Sequence, residues 1–401
     1  MNILFLFCSL PDLSNKQGLW ASLIHEFTAK GHHVLVSSKG KGKKKTELCD
    51  EAGIPVLRIG GPEFTAVTNN VKKALAYQQY IIKQRYYVKK YWGKEKIDLI
   101  ISHSLPPELA YVVSGLKKHF KCPFYLLQSD YTWQDAVAYG FFGRKSPIAR
   151  YYQYWERKAF KLADYIGVPT KGNVRFARLQ YPWLKEELFA VYPFWQKSMN
   201  VEKGSGIKEK YDLQGKFVVM YGGNVGPAQR IEHLVDLAEQ VQDYEDIVFI
   251  ILGKGSRLQA IKDMVTEKGL KNVVFKDFLP QQDYLQFLAA CDAGLIMLNE
   301  VHATPNFPSK TMSYFDLQIP VLAAIDYVTD FGQFLEETGS GLWSYSGDTE
   351  TFKKNLLLLY QKPEMVASMK QNEKDYFEQY MQPVYAYEMI MEQVKEKEDK
   401  Q

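Results

Sequence analysis

The chain has 401 residues, of which 46% are hydrophobic and 24% charged, and its formal net charge is +4. These values are typical of a soluble globular protein with two or three domains. No apolar run approaches the ~18 residues of a membrane-spanning helix, and the apolar start MNILFLFCSL lacks a basic segment and a cleavage site, so we expect a buried strand rather than a signal peptide. The four cysteines lack metal-binding spacing and suit a reducing cytoplasm.

Short apolar runs alternate with helical stretches along the first half of the chain. This rhythm predicts βα units around a parallel sheet. Strands are predicted near 2–9, 33–38, 55–59, 97–102, 123–128, 165–168 and 188–192. Helices are predicted near 19–30, 68–92, 106–119, 145–163 and 171–179.

The same rhythm restarts after a polar stretch rich in lysine and glycine. We therefore predict a first domain at 1–195, a linker at 196–215, a second domain at 216–380 and a final helix at 381–401 that crosses back to the first domain. Strands are predicted in the second half near 217–223, 247–253, 273–275, 293–298 and 320–324. Helices are predicted near 229–241, 256–268, 349–361, 363–379 and 383–398, and a further helix is predicted to begin near Ser309.

Two strands of the second half end in glycine turns that open a helix. The first is YGGNVGPAQR and contains Gly222, Gly223, Asn224 and Gln229; the second, LGKGSRLQ, contains Lys254. Glycines let the backbone approach a phosphate, and a helix N-terminus offers unpaired N–H groups. Either turn alone is equally compatible with an ordinary tight turn, and neither is a P-loop.

A third strand end leads through a proline-rich loop to a helix that begins near Ser309. Lys310 in a first helical turn opposes the helix dipole, and a bound anion would remove that conflict. The alternative is a solvated lysine. In the first half, Asp130 follows a buried strand and His103 ends another. We expect both to face a ligand, although a capping carboxylate and a structural histidine are the ordinary alternatives.

These segments, in this order, resemble the GT-B glycosyltransferases of family 4, in the bacterial branch that builds surface polysaccharides. YGGNVGPAQRIEHL is similar to the family's F-x-G-N-[LIV]-G-x-A-Q-G-L-E-x-L, and FPSKTMSYFDLQIPVLAA is similar to P-S-K-x-x-E-Y-x-A-x-G-x-P-V. QSDYTWQDAVAYG and SHSLPPELAYVVSGLKK give weaker support. The family's helix glutamate is Ser313 here, and its glycine before Pro-Val is Gln318.

The resemblance implies an α/β fold with two Rossmann-like domains that face each other across a cleft. It implies transfer of a sugar from a nucleotide-sugar donor, UDP-linked by expectation, with retention of configuration and no bound metal or other cofactor. Donor-binding residues are expected at Gly222, Gly223, Asn224, Gln229, Lys254, Phe278, Leu279, Ser309, Lys310 and Ser313. Catalytic roles are expected for Asp130, His103 and Lys310, with Gly18, Tyr131 and Trp133 on the acceptor side.

Charge is unevenly distributed between the halves. Residues 1–195 hold 29 basic and 15 acidic residues, a net charge of +14. The segment 69–96 holds eight basic residues and one glutamate among its tyrosines. This composition suits an enzyme of the cytoplasm, peripheral on the inner face of the cell membrane, with a glycan or polyprenyl-diphosphate acceptor and no nucleic acid partner. The alternative is a surface helix whose aromatics pack inward.

Two other functions stay open. The missing family glutamate would suit a non-catalytic GT-B subunit that positions a partner transferase. A sugar-nucleotide epimerase would have the same architecture. An NAD-dependent dehydrogenase has little support, because no G-x-G-x-x-G follows a strand.

Overall fold

The computed structural model describes residues 1–40, 42, 45–61, 70–201, 206–276 and 279–398. The chain divides into two compact units. The first comprises Met1–Lys197 and Gln382–Gln401, and the second comprises Ser198–Met381.

The first unit is built on an eight-stranded sheet in the order β3-β4-β2-β1-β5-β6-β7-β8. Every pairing is parallel except that of β3 with β4. The strands are β1 (Asn2–Leu6), β2 (His33–Lys39), β3 (Glu47–Glu51), β4 (Ile54–Ile59), β5 (Leu99–His103), β6 (Phe124–Leu127), β7 (Tyr165–Val168) and β8 (Phe189–Val191). The helices are α1 (Leu19–Ala29), α2 (Asn70–Trp92), α3 (Leu109–Phe120), α4 (Thr132–Ala138), α5 (Pro147–Leu162) and α6 (Lys171–Gln180).

The second unit is built on a six-stranded, fully parallel sheet in the order β11-β10-β9-β12-β13-β14. The strands are β9 (Phe217–Asn224), β10 (Ile247–Lys254), β11 (Val273–Lys276), β12 (Ala293–Met297), β13 (Val321–Ile325) and β14 (Gly341–Tyr345). The helices are α7 (Ile207–Lys210), α8 (Glu232–Gln240), α9 (Leu258–Glu267), α10 (Gln281–Ala289), α11 (Lys310–Leu317), α12 (Phe331–Thr338), α13 (Thr349–Gln361) and α14 (Pro363–Tyr380).

In each sheet the first strand of the unit, β1 or β9, lies in the interior, and later strands are added first on one side of it and then on the other. The reversal lies between β1 and β5 in the first unit and between β9 and β12 in the second. Chains leave the sheet in opposite directions there, which opens a crevice at the carboxyl ends of the strands where ligands bind in doubly wound folds. Each unit therefore has one favoured position for a ligand.

The last helix, α15 (Pro383–Glu398), belongs to the first unit. Its buried side chains Ala386, Ile390 and Val394 join the apolar core on one face of the first sheet. The Tyr387 ring meets Phe27 of α1 edge-on, with ring centroids 4.8 Å apart. These contacts attach the end of the chain to the unit in which the chain begins.

The segment predicted as a linker contacts the second unit. Ser198 Oγ donates to Asp316 Oδ1 at 2.8 Å, and the Met199 amide donates to the other oxygen of that carboxylate at 2.9 Å. Residues 202–205 of this segment lie outside the described part of the chain. The unit boundaries fall after Lys197 and after Met381.

Candidate functional site

The glycine turn at the end of β9 is packed too closely for side chains. A methyl group on Gly253 of β10 would lie 1.8 Å from the Gly223 carbonyl oxygen, and one on Gly255 would lie 2.1 Å from that of Val225. Gly223 also has a φ of +142°, which L side chains rarely adopt. The two glycine turns therefore bring bare backbone together at the point where the second sheet reverses its order.

Lys310 begins α11 and lies against this turn. A methyl group on Gly223 would come within 2.9 Å of its Cε atom, and its ammonium lies 4.7 Å from the centre of the Tyr221 ring. Burial lowers the pKa of Lys310 from 10.5 to about 8. Among the described residues no carboxylate pairs with it. The ammonium is therefore desolvated without a countercharge, which is unfavourable unless an anion binds beside it.

Other polar groups at the start of α11 also lack protein partners. Ser309 is exposed, and its side chain makes no capping bond to the helix. The hydroxyl oxygen of Thr311 is buried without a hydrogen-bond partner. The Thr311 amide donates to the Pro308 carbonyl at 3.0 Å. Together with the N-terminal end of the α11 dipole, the Ser309 and Thr311 hydroxyls form a site suited to an anion.

The glycine turn after β9 is held together by hydrogen bonds among its own residues and to the loop after β12. Gln229 Oε1 accepts bonds from Asn224 Nδ2 at 3.1 Å and from the Gly226 amide at 3.3 Å. Asn299 Nδ2, from the loop after β12, donates to the Pro227 carbonyl at 2.7 Å. Asn224 and Gln229 are expected at the donor; in this structure their side chains bond to each other, and their contact with the donor stays a prediction.

The structure places the other expected donor residues less closely together. Lys254 is exposed at the end of β10, and its carbonyl accepts from the Val225 amide at 3.0 Å. Ser313 is half-buried on α11, one turn beyond Lys310. Leu279 is half-buried before α10, and Phe278 lies outside the described residues.

An ion pair beside the turn was missed from the sequence. Arg230 Nη1 contacts Glu300 Oε2 at 2.5 Å, and Ser346 Oγ donates to the same oxygen at 3.2 Å. Glu300 and Ser346 lie 70 and 116 positions after Arg230 in the chain. Only Arg230, the basic residue at the end of the glycine motif, could have indicated this ion pair from the sequence.

In the first unit, His103 and Asp130 are joined through Ser129. The Leu105 amide donates to His103 Nδ1 at 3.3 Å, so the ring proton lies on Nε2, which donates to Ser129 Oγ at 2.6 Å. Ser129 Oγ donates in turn to Asp130 Oδ2 at 2.9 Å. Burial lowers the pKa of His103, against the opposing effect of Asp130. A neutral histidine thus directs its proton toward a half-buried carboxylate.

A cavity of about 910 Å³ opens beside His103. It lies where the first sheet reverses its order, between the end of β1 and the end of β5. Half of the described residues that line it have aromatic or hydroxylated side chains, and one of them has a carboxyl group. The lining residues are Cys8, Ser9, Trp20, Tyr77, Gln78, His103, Leu105, Pro106, Pro107, Glu108, Thr132, Ile148, Tyr151 and Tyr152.

Two of the expected acceptor-side residues are instead in the core. Tyr131 is 1% exposed, and its hydroxyl donates to the Asn173 carbonyl at 3.2 Å. Trp133 is 5% exposed, and its indole N–H donates to Glu156 at 3.1 Å. Burial of their large apolar surface in the core stabilises the folded protein more than exposure at a surface would. Gly18 lies at the N-terminus of α1, where its carbonyl accepts from the Ser22 amide at 2.8 Å.

Neither a metal centre nor a membrane span is found in the part of the chain that the structure describes. No group of three or more histidine, cysteine, aspartate or glutamate side chains there could hold a metal ion. No helix there is long and apolar enough to cross a bilayer.

Comparison with known proteins bears on the second unit directly. Residues 206–376 match the family model of "Glycosyl transferases group 1". This segment of the chain is therefore similar to the group 1 glycosyl transferases. This match confirms the resemblance predicted from the motifs and covers both glycine turns and Lys310.

Curated relatives match over part of their length. WbjE of Pseudomonas aeruginosa, described as a glycosyltransferase, is 29% identical over 130 residues, 32% of each chain. WcaI of Escherichia coli, described as a colanic acid biosynthesis glycosyl transferase, is 26% identical over 203 residues, 48% of each chain. The chain therefore spans about a third to half of the length of these relatives.

Solved structures match over the whole chain. Sucrose-phosphate synthase of Thermosynechococcus elongatus superposes with a TM-score of 0.74 at 14% identity, covering 99% of this chain and 98% of that one. HepE of Anabaena, in complex with UDP-glucose, superposes with a TM-score of 0.69 at 17% identity, covering 99% of this chain and 100% of that one. The predicted α/β GT-B fold is thereby confirmed.

Proposed function

We propose that this protein is a glycosyltransferase that moves a sugar from a nucleotide-sugar donor to a hydroxyl group of an acceptor. The observation that carries the proposal is Lys310, a desolvated ammonium without a carboxylate partner among the described residues, beside a glycine turn and a helix N-terminus. The group 1 match covers this position, and a solved structure of the same fold was determined with UDP-glucose.

The reaction places its developing charge on the leaving diphosphate. As the bond from the sugar to the diphosphate breaks, negative charge grows on the oxygen that leaves. Lys310 and the N–H groups of α11 would stabilise that charge, and a preorganised group at such a position contributes on the order of 10²-fold in rate. Transfer with retention of configuration and without a bound metal belongs to the same proposal and rests on the family resemblance.

Asp130 and His103 would act on the acceptor. The chain from His103 through Ser129 to Asp130 holds the imidazole in one tautomer and supports a carboxylate that can orient a hydroxyl group. We propose a glycan or polyprenyl-diphosphate-linked acceptor because one matched relative is described as a colanic acid biosynthesis enzyme. A peripheral location on the inner face of the cell membrane would suit such an acceptor.

Binding of UDP tests the donor half of this proposal. Titration calorimetry with UDP, UMP and uridine should show affinity that rises with each phosphate in the wild-type protein. Lys310→Met should remove most of the increase in affinity from UMP to UDP, while Lys310→Arg should keep much of that increase. Equal UDP affinity in wild type and Lys310→Met, with both folded, would contradict the assignment.

Turnover separates the enzyme from a non-catalytic subunit of the same fold. Ser313 stands where the resembled family has a glutamate, and this is the specific feature that favours the subunit. UDP binding without release of UDP from any UDP-sugar, with acceptor lipids present, would support the subunit. A change of the sugar without transfer would support an epimerase.

A further inference from the structure

The 910 Å³ cavity of the first unit contains a carboxyl group that the proposed chemistry does not use. Glu108 lies at the N-terminal boundary of α3 and is 7% exposed. Its Oε2 atom is buried and has no hydrogen-bond partner. A buried carboxyl oxygen without a partner costs folding free energy, so its presence in a cavity wall points to a ligand.

The surroundings of Glu108 fix its orientation without satisfying it. The Tyr151 hydroxyl hydrogen-bonds to the Glu108 carboxyl and also accepts from Gln78 Nε2 of α2. The carboxyl makes no capping bond to the amides of α3. Burial raises the pKa of Glu108, against the opposing effect of its hydrogen bonds. Three elements thus hold one polar group at the cavity wall.

The lining excludes a phosphate as the preferred occupant. Among the described residues that line the cavity, none is lysine or arginine. A phosphate would enter a partly desolvated space beside a carboxyl group, and none of these described lining residues would offset its charge. A neutral ligand with several hydroxyl groups meets no such penalty.

The aromatic walls favour a ring with apolar faces and a polar edge. Trp20, Tyr77, Tyr151 and Tyr152 supply flat surfaces with polar tips, and Ser9, Gln78 and Thr132 add hydrogen-bonding groups. The volume lies within the roughly 300–1,000 Å³ of small-molecule sites. We propose that this cavity binds a neutral pyranose ring of the acceptor and that Glu108 selects it by hydrogen bonding to ring hydroxyls. This inference rests on the proposed function, since it names the acceptor group.

Saturation-transfer NMR on the full chain tests the cavity with a panel of methyl hexopyranosides. At least one glycoside should bind the wild-type protein, and inorganic pyrophosphate should not displace it. Glu108→Leu should weaken binding of that glycoside by about tenfold or more, which corresponds to the loss of one good hydrogen bond. Glu108→Gln, which keeps a donor and an acceptor, should stay within a few-fold of wild type.

Tyr151→Phe and Lys310→Met serve as further variants. Tyr151→Phe removes only the hydroxyl that holds Glu108 and should weaken the glycoside several-fold, which keeps the test valid if Glu108→Leu fails to fold. Lys310→Met should leave the glycoside unaffected.

Three results would overturn the inference: binding of no glycoside, unchanged binding in the folded Glu108→Leu and Tyr151→Phe variants, or displacement by pyrophosphate. UDP titration on the same samples separates the two proposals. If UDP binds and no glycoside does, this inference alone fails. If a glycoside binds and UDP does not, the assignment of a UDP-linked donor fails and the cavity remains a sugar site.

Discussion

At the scale of single residues, Lys310 predicts how donor binding depends on pH. Because burial lowers its pKa to about 8, the free site loses its positive charge as pH rises through that value. UDP affinity should be constant from pH 7 to about 8 and then fall by up to tenfold per unit. Lys310→Arg should remove the dependence, since a guanidinium stays charged throughout this range. The same fall in UDP affinity in the Lys310→Arg variant would show that another group causes the pH dependence.

The same shift has a consequence for stability in the absence of ligand. Between about pH 8 and the ordinary value of 10.5, the unfolded chain binds more protons at this position than the folded one. The contribution of Lys310 to stability therefore rises with pH across that window. Lys310→Met should raise the melting temperature of the free protein at pH 7 and flatten its rise with pH, as measured by differential scanning calorimetry. A lower melting temperature at pH 7 would contradict the desolvation argument.

Asp130 predicts a separation of donor binding from transfer. Asp130→Asn keeps the size of the side chain and can still accept from Ser129. Because Asp130 lies in the first unit and Lys310 in the second, the variant should bind UDP as wild type does. Transfer should fall by about 10²-fold or more, within the range for loss of an acid–base group. Lost UDP affinity with intact transfer would contradict the role.

At the scale of elements, α11 ends in a conformation that does not suit its residue. Gln318 has a φ of 56°, in the left-handed region that glycine prefers after a helix. Gln318→Gly should stabilise the protein by roughly 0.5–1 kcal/mol by removing this strain. Calorimetry should show a small rise in melting temperature. Ala367→Gly, at an exposed position inside α14, is the matched control and should cost about 1 kcal/mol. A similar loss of stability in both variants would contradict the proposal that the backbone at Gln318 is strained.

Element prediction from the sequence succeeded where apolar runs were short and bounded by glycine or proline. Strands such as β7 and helices such as α13 follow the pattern closely, because burial on both faces of a parallel sheet requires continuous apolar residues. It failed for β3, whose sequence ELCDE lies at a sheet edge and pairs antiparallel with β4. It also failed for β14, where glycine and serine interrupt the run.

The candidate site was predictable only in its local parts. The glycine turns and the position of Lys310 follow from motifs within a few residues. The missing countercharge of Lys310 depends on which residues surround it in space. Ser129 lies 26 positions from His103, and Tyr151 lies farther still from Glu108, so neither contact leaves a pattern in sequence spacing. Conversely, the aromatic residues Tyr131 and Trp133 drew attention by type but serve the core.

At the scale of the whole molecule, the basic first half predicts binding to anionic membranes. Leu75, Ile82 and Tyr86 of α2 are each more than half exposed, and their spacing places them on one face of the helix. Near an anionic surface each basic residue contributes about 1 kcal/mol, and salt screens this attraction. The apolar residues add a part that salt does not screen.

Liposome sedimentation over a salt series tests this expectation. Binding should require anionic lipid and weaken with salt. Ile82→Asp should reduce partitioning by about tenfold or more, whereas Leu179→Asp, at a 78% exposed position on α6, should change it little. Equal partitioning onto neutral and anionic vesicles would exclude the charge argument. Equal effects of the two substitutions would exclude the assigned face.

Release of nucleoside diphosphate measures transfer from a nucleotide sugar. The purified chain is incubated with UDP-, GDP-, dTDP- and CDP-sugars and a lipid extract as a source of acceptors, and the liberated diphosphate is quantified. We expect acceptor-dependent release from one class of donor, reduced by about 10²-fold in Lys310→Met and in Asp130→Asn. No release from any donor, or equal release by wild type and Lys310→Met, would contradict this expectation.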